Sequence, residues 1–394
     1  MPNTLLTPQQ ITREALRVLH QKANFIGSIN RQYDDRFAKS GAKIGSTIQV
    51  RLPNEYVVRT GATMVPQDTV ESQVPLTVNT QKGVDLQFTS VDLTMSLDDF
   101  SSRIIEPAMS VLAANIEADA LSMANDIHQV VNNIGSTLNM RQMLLAKKVL
   151  TDALAPSGNR NLLMNTQDTV DAIDNLKGLF QDSTAIAKQY REGVMGTTAG
   201  FGDIMENTIL GGTTTGTALS ATGYTVSGAG QTGSSITVAT GSTTFKKGDV
   251  ITLGINRVHP ETKVDTGNLH MFVVTADYAG GAGTLQIAPA IVTSGPRQNV
   301  TASPANGAAV TKIGGASQVY RPSLAYHQDA FTFATADLVM PDGVDWKARE
   351  TFDGISMRMV RQYNINNDTF PCRLDVLYGY ATLRRQLAVR ILSN

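Results

Sequence analysis

The chain has 394 residues, with 33 Lys and Arg against 34 Asp and Glu, so its formal net charge is -1. This balance excludes a strongly basic nucleic-acid-binding surface and an acidic solvating tail as the dominant feature of the chain. Only 17% of the residues are charged, against about 25% in a typical soluble domain. The length predicts two or three domains. The low charged fraction predicts that much of the protein surface is covered by other chains.

Residues that hold metals or form disulfides are few and scattered. Cys372 is the single cysteine, which excludes an intrachain disulfide, and the five histidines form no HxH or HxxxH pair. The N-terminus has neither a basic nor an apolar segment, and no window reaches about 18 apolar residues. We therefore expect a soluble protein of a reducing compartment, with no signal peptide and no membrane span.

The first predicted element is a helix over residues 8–21. Thr7 can cap it, Pro8 suits its first turn, and Gln10 completes a capping box. Apolar residues then recur at helical spacing, at Ile11, Ala15, Val18 and Leu19. Two interpretations stay open, an ordinary amphipathic surface helix and an arm that docks on a partner.

Residues 44–91 form β-rich runs interrupted by proline and glycine. The stretch 53–75 has three prolines and little apolar material. This pattern predicts a long β-hairpin that projects from the body and lies on a neighbouring subunit. We expect four charged residues of this region to pair with that neighbour and not with their own chain: Arg51, Glu55, Arg59 and Glu71.

The strongest helix signal runs from residue 107 to residue 131. Asp98 and Asp99 can cap a short preceding segment, and Pro107 opens the main one. Apolar residues then recur every three or four positions through Val130. A helix of this length, roughly 37 Å, would be the spine of a large domain.

Shorter mixed elements come after the spine. They are a helix over 139–154, a buried strand at Arg160–Met164, a helix at Thr166–Lys177 capped by Thr166, a helix over 183–190 and a strand at Ile204–Leu210.

The composition changes at Gly211. Residues 211–316 hold 18 of the 33 glycines but only 10 charged residues, and they show no helical period. Five or more short β runs separated by turn residues predict a small barrel or sandwich. Host sequence resumes at 317, with a segment over 324–338 that is strand-prone in its centre, a strand over 355–364 and a final strand or strand pair over 373–389. We therefore predict a β-domain inserted into a host domain through ends that lie close together.

No motif predicts a catalytic, cofactor-binding or metal-binding residue. Gly228, Gly230 and Gly233 match GxGxxG, but a strand comes next where a dinucleotide site needs a helix. His327 and Asp329 lie two apart in a strand-like run, and we interpret them as a structural pair.

Five further segments stand in a characteristic order: Arg191–Phe201, Phe245–Val250, Phe272–Asp277, Leu324–Phe331 and Arg373–Ala381. Together with the N-terminal helix, the hairpin and the spine helix, this order resembles the major capsid (coat) proteins of tailed bacteriophages with the Hong Kong 97-type fold. More narrowly, it resembles the short-tailed-phage coat family that carries an inserted β-domain. The resemblance covers nearly the whole chain.

The resemblance implies an α+β fold with peripheral and axial domains. Its parts would be an N-terminal arm (1–43), an extended β-hairpin loop with flanking peripheral-domain strands (44–91), the spine helix and first part of the capsid core (92–210), an inserted β-barrel-like domain (211–316) and the remaining core (317–394). It implies a shell subunit without catalysis or cofactor, which assembles in the host bacterial cytoplasm as pentamers and hexamers of an icosahedral virion capsid.

The implied partners are further copies of the chain, a scaffolding protein, a portal protein and packaged double-stranded DNA bound without sequence specificity. A decoration protein is an optional partner, and no membrane is expected. A near-neutral chain suits a container that does not grip its DNA. Two alternatives stay open, an encapsulin-like bacterial compartment shell, against which the inserted domain argues, and an enzyme with an unrecognised site.

We expect the shell to be held by non-covalent contacts. Some shells of this fold join a hairpin lysine to a neighbour's asparagine, but no lysine lies between Lys43 and Lys82. Cys372 is alone, which disfavours a ladder of intersubunit disulfides. No propeptide is expected.

Overall fold

The computed structural model describes residues 8–31, 46–64, 66–69, 71–88, 104–176, 199–352, 355–366 and 369–393. The chain divides into two compact units, each assembled from separate stretches of sequence. The first comprises Met1–Arg51, Gln73–Leu121 and Phe331–Leu383, and the second comprises Leu52–Ser72, Ser122–Ala330 and Arg384–Asn394.

The α-helices of the described ranges are α1 (Pro8–Lys22), α2 (Asn24–Ser28), α3 (Glu106–Leu121), α4 (Met140–Asp152) and α5 (Thr166–Leu176). The strands are β1 (Ser46–Leu52), β2 (Ser72–Val78), β3 (Thr80–Phe88), β4 (Val130–Asn132), β5 (Arg160–Met164), β6 (Asp203–Glu206), β7 (Thr213–Thr214), β8 (Ala221–Val226), β9 (Gly233–Ala239), β10 (Val250–Val258), β11 (Asp265–Val274), β12 (Gly283–Ile291), β13 (Ala309–Lys312), β14 (Val319–Tyr320), β15 (Ser323–His327), β16 (Phe331–Ala336), β17 (Trp346–Phe352), β18 (Ile355–Arg361), β19 (Phe370–Thr382) and β20 (Ala388–Leu392).

The long strand β19 is the centre of the first unit's main sheet. It pairs antiparallel with β16, β18 and β3, and β17 lies beyond β18. The predicted strand over 355–364 ends at Arg361. The segment 373–389, predicted as a final strand or strand pair, is a pair, β19 and β20, separated by a 3₁₀ turn at Arg385–Leu387.

Helix α1 packs on this sheet and on α3 through the apolar face that its spacing predicts. The buried side chains of this face include Ile11, Ala15, Val18 and Leu19. Its cap, Thr7, lies outside the described residues. Glu117 of α3, only 1% exposed, accepts the Phe25 backbone N–H of α2 at 2.7 Å. The amphipathic-helix interpretation therefore holds within the single chain.

The predicted spine helix over 107–131 is too long. Helix α3 ends at Leu121, a 3₁₀ turn covers Ser122–Asp126, and Val130 begins strand β4. The sequence after Leu121 contains Ser, Asn and Asp, which are poor helix formers. The apolar spacing of this segment correctly predicted which side chains are buried, since Met123 and Ile127 are both buried. It did not predict the conformation, because the β-branched pair Val130–Val131 lies in a sheet and not in a helix.

A five-stranded sheet forms the host part of the second unit, in the order β4-β20-β15-β5-β6. Every residue of β5, β15 and β20 is buried, as expected for strands covered on both faces. Strand β5 has the predicted bounds, whereas the strand predicted at Ile204–Leu210 is Asp203–Glu206.

Helix α5 has a different cap from the one predicted. The Asp168 backbone N–H donates to Asn165 Oδ1 at 2.7 Å, so Asn165 and not Thr166 caps the helix. The sequence Asn-Thr offered two capping side chains, and both types are favoured there. The predicted helix over 183–190 and the caps Asp98 and Asp99 lie outside the described residues.

The glycine-rich stretch forms the predicted barrel. Its six strands close in the order β10-β11-β12-β9-β8-β13. The interior is filled by apolar side chains, among them Tyr224, Ile236, Phe245, Phe272 and Leu285. At the neck, β7 pairs with β14, so the two ends of the insertion meet in a short ribbon. The fold is therefore α+β with a small closed barrel.

Buried side chains hold the barrel on the host sheet. Val130 and Leu392 of the host pack with Val250, Val273 and other barrel residues. Arg390, 1% exposed, donates from Nη2 to the Gly248 carbonyl at 2.8 Å. Burial lowers the pKa of Arg390 to about 10, against the opposing charges of the Asp249 and Asp126 carboxylates.

Candidate subunit-contact loop and the cavity beside the barrel

The predicted projecting hairpin is an irregular loop in its described part. Strands β1 and β2 pair, but residues 53–64, 66–69 and 71 between them form no strand. Pro53 and Pro66 have no N–H to donate to a ladder. The prediction of a hairpin over 53–75 is therefore correct for the paired ends and wrong for the segment between them.

Side-chain hydrogen bonds replace the ladder inside this loop. The Val57 N–H donates to Gln67 Oε1 at 2.9 Å, and Gln67 Nε2 donates to the Val57 carbonyl at 2.6 Å. The Gln67 side-chain amide thus links the two sides of the loop through the same pair of hydrogen bonds that a backbone residue in a paired strand would make.

The loop presents apolar side chains to solvent. Val58 is 91% exposed and Met64 is 77% exposed, and Tyr56 and Val57 are also exposed. Apolar side chains grouped on one exposed segment are typical of an interaction surface.

The four predicted contact residues are all exposed in the chain, Arg51 in β1, Glu55 and Arg59 in the loop, and Glu71 immediately before β2. Glu55 lies 3.8 Å from Lys263 Nζ, on the turn between β10 and β11. Arg59 Nη1 donates to the Gly61 carbonyl. The expectation that these charges avoid their own chain is therefore wrong for Glu55.

The two sequence motifs without a predicted chemical role have defined structural positions. Gly228, Gly230 and Gly233 all have positive φ. Gly228 and Gly230 lie in the turn between β8 and β9, and Gly233 is the first residue of β9. His327 Nδ1 accepts the Asp329 backbone N–H at 3.2 Å, so Nδ1 is unprotonated and the imidazole is neutral. Burial is the main cause that lowers the pKa of His327. This geometry is that of a structural pair.

Another buried polar cluster joins α5 to β15. Ser323 Oγ donates to Asp168 Oδ2, which also accepts from Asn165 Nδ2 at 2.9 Å. Burial raises the pKa of the Asp168 carboxyl, and its hydrogen bonds oppose that shift. Within the described ranges no three His, Cys, Asp or Glu side chains are grouped as metal ligands, and no helix has the length and apolar character to cross a bilayer.

A cavity that no sequence motif indicated lies beside the barrel in the second unit. It has a volume of about 210 Å³. Host residues such as His128, Asp152 and Arg385 line it together with barrel residues such as Arg257 and His270. The two histidines are 142 positions apart in the sequence, so no local spacing could indicate that they meet.

The two histidines of the cavity are buried and uncharged. Their rings meet edge to face with centroids 5.7 Å apart, and each is 4% exposed. Burial is the main cause that lowers the pKa of His270 to about 3 and that of His128 well below its ordinary value. The positive charges of nearby arginines add to both shifts.

Comparison with known proteins gives a family match over most of the chain. A family model described as "P22 coat protein - gene protein 5" matches residues 43–390. The comparison with curated proteins gives no match.

Solved structures of phage proteins are similar to the chain at low identity. A structure from Mycobacterium phage Che8 is 13% identical, with a TM-score of 0.47 and coverage of 94% of this chain and 90% of that chain. The capsid of cyanophage P-SCSP1u is 10% identical, with a TM-score of 0.42 and coverage of 91% and 85%. The mature capsid of bacteriophage PhiM1 is 9% identical, with a TM-score of 0.43 and coverage of 88% and 82%.

Proposed function

Since this chain belongs to the P22 coat protein family and is a major capsid protein of a phage head, we propose that its copies assemble as pentamers and hexamers. These close into an icosahedral shell around double-stranded DNA. The family match over residues 43–390 is the observation that carries the function. A ring of identical subunits needs a heterologous contact that closes after a fixed number of copies.

The loop over residues 53–71 supplies such a contact. It combines exposed apolar side chains with the exposed charges of Arg59 and Glu71. Apolar residues surrounded by polar ones are typical of a protein–protein contact. Each exposed ion pair contributes only about 0–1 kcal/mol, but a shell repeats the contact at every subunit.

The role is structural, and we propose that the chain catalyses no reaction. Two observations support this. The His327 imidazole is turned toward a backbone N–H. The hydrogen bonds of the Asp168–Ser323 pair in the described part of the chain go to Asn165 and not to a histidine or lysine, which an activated serine needs.

The partners follow from the role of a coat protein. The chain resides in the virion capsid with other copies of itself, and we propose that assembly takes place in the host bacterial cytoplasm with a scaffolding protein and a portal protein. The net charge of -1 supports DNA packaging without sequence-specific binding or a strong grip on phosphates. A decoration protein is an optional addition on the outer surface.

A shell around an enzyme cargo, as in encapsulin-like compartments, is the less favoured alternative, because the matching family is a phage coat family. The genes beside the coding sequence distinguish the two, since a phage head requires a portal and a scaffold.

Electron microscopy of the recombinant chain tests the assembly proposal. We expect closed shells of uniform diameter when the chain is produced with its scaffolding protein. Arg59→Glu should leave the subunit folded, by circular dichroism and melting temperature, and should reduce the yield of shells. Arg141→Glu, an exposed charge reversal on α4 outside the loop, is the matched control. Normal shell yield from Arg59→Glu would contradict the role of the loop, and absence of any shell with the scaffold present would contradict assembly itself.

A further inference from the structure

The lining of the cavity beside the barrel includes buried polar atoms that have no hydrogen-bond partner within the described ranges. Four of them belong to its lining residues: His128 Nδ1, Gln129 Oε1, His270 Nε2 and Arg385 Nε. Buried polar atoms in folded proteins are nearly always paired. Four unpaired ones around a single cavity therefore indicate a site that a polar ligand completes.

The charges around the cavity indicate the sign of that ligand. Four cationic side chains line it, Arg257, Lys263, Arg297 and Arg385, against the two carboxylates of Glu55 and Asp152. With the histidines neutral, the lining therefore carries a net charge of +2. Both carboxylates already have partners, since Asp152 Oδ2 lies 3.4 Å from Arg257 and Glu55 lies 3.8 Å from Lys263.

We propose that this cavity binds a tetrahedral oxyanion of the phosphate class. Arginine and histidine N–H groups are strong donors to phosphate oxygens. Three of the unpaired atoms, on His128, His270 and Arg385, are nitrogens that can donate. The volume of about 210 Å³ admits the anion with a few waters, since a water occupies about 30 Å³ in the liquid.

Gln129 selects phosphate over other oxyanions. Its Nε2 donates to the Gln386 carbonyl at 3.2 Å, which fixes the amide so that Oε1 is the free end. An acceptor at this position needs a donor on the ligand. Hydrogen phosphate and dihydrogen phosphate carry an O–H group, whereas sulfate and carboxylates at neutral pH carry none.

The bound anion ties the inserted barrel to the host. Arg257 and His270 belong to barrel strands β10 and β11, whereas His128 precedes β4 and Arg385 precedes β20 in the host. One phosphate can accept hydrogen bonds from both sides. It also adds negative charge beside Arg385, one of the arginines whose positive charge lowers the pKa of His128.

Thermal unfolding and calorimetric titration of the full-length unassembled chain test the proposal independently of shell formation. Inorganic phosphate, compared with chloride at equal ionic strength, should raise the melting temperature in a saturable way. Sulfate should bind roughly tenfold more weakly, because the Gln129 acceptor stays unpaired. Arg385→Gln should weaken phosphate binding by a similar factor, whereas its neighbour Arg384→Gln, outside the cavity, should not.

A second variant keeps the test decisive if Arg385→Gln fails to fold. His270→Phe preserves ring packing on Phe272, whose ring centroid lies 4.6 Å away, and removes the donor, so it should also weaken phosphate binding. Equal, non-saturating stabilisation by phosphate and sulfate would be the general effect of excluded salts and would overturn the proposal. Binding of a DNA oligonucleotide without binding of inorganic phosphate would overturn it as well, since the site is for the free anion.

Discussion

Lowering the pH from 7 to 5 should destabilise the second unit through His128 and His270. Both side chains are buried and neutral, and the folded-state pKa of His270 is about 3. In the unfolded chain a histidine has a pKa of about 6.5. As the pH falls below about 6.5, these histidines therefore bind protons in the unfolded state but not in the folded state, and the free energy of unfolding decreases.

The size of this effect follows from the two pKa values of His270. Each pH unit well below 6.5 costs about 1.4 kcal/mol per histidine. Between pH 7 and pH 5 this amounts to roughly 2 kcal/mol for His270. The pKa of His128 is also well below its ordinary value, so its titration should change the stability in the same direction. The loss from His270 stops growing below about pH 3, where the folded state also takes up its proton.

Urea unfolding of the unassembled chain, followed by far-UV circular dichroism in phosphate-free chloride buffers, measures the effect. His270→Phe keeps the aromatic contact with Phe272 and removes the titrating group, so its stability should fall by roughly 2 kcal/mol less than that of the natural chain between pH 7 and pH 5. Met271→Leu, a volume-conserving change next to it, should keep the natural pH dependence. An unchanged pH dependence in His270→Phe would refute the reasoning.

Three further predictions address the packing, the barrel and the shell. Gly379→Ala should destabilise the first unit by about 1–3 kcal/mol, because a Cβ there would clash with the Thr77 carbonyl; Gly202→Ala, where the nearest atom would be 3.7 Å away, should leave the melting temperature nearly unchanged. The excised fragment 211–316 should fold alone, with a β-type circular dichroism spectrum and a cooperative melt, because its strands close on a core of their own; a disordered fragment would show that the host is needed. Boiled and reduced particles should give one electrophoretic band near the 42.2 kDa monomer. Cys372 is buried with its pKa raised to about 12, and Lys82 is ion-paired with Asp119 at 2.7 Å, so a ladder of higher bands would contradict a non-covalent shell.

Much of the loop and the cavity could not be predicted from the sequence. The charged residues of the loop were recognisable from composition, but the ion pair between Glu55 and Lys263 joins residues 208 positions apart. The Gln67 amide that replaces a ladder has no sequence signature, since any exposed Gln would look the same. The cavity depends on His128 and His270 meeting, which is a consequence of how the barrel packs on the host.

Features that depend only on neighbouring residues were predictable from the amino-acid sequence. Three such features were predicted from the sequence: the apolar face of α1, the continuous apolar strand β5 and the glycine-rich β pattern of the insertion. They were predictable because helix and strand periods place nearby side chains on one face. The end of α3 and the formation of strand β4 soon after it depend instead on long-range contacts. Val130 and Val131 pair with Arg390 and Ile391 at the far end of the chain, and a β-branched pair takes the conformation that such a distant partner stabilises.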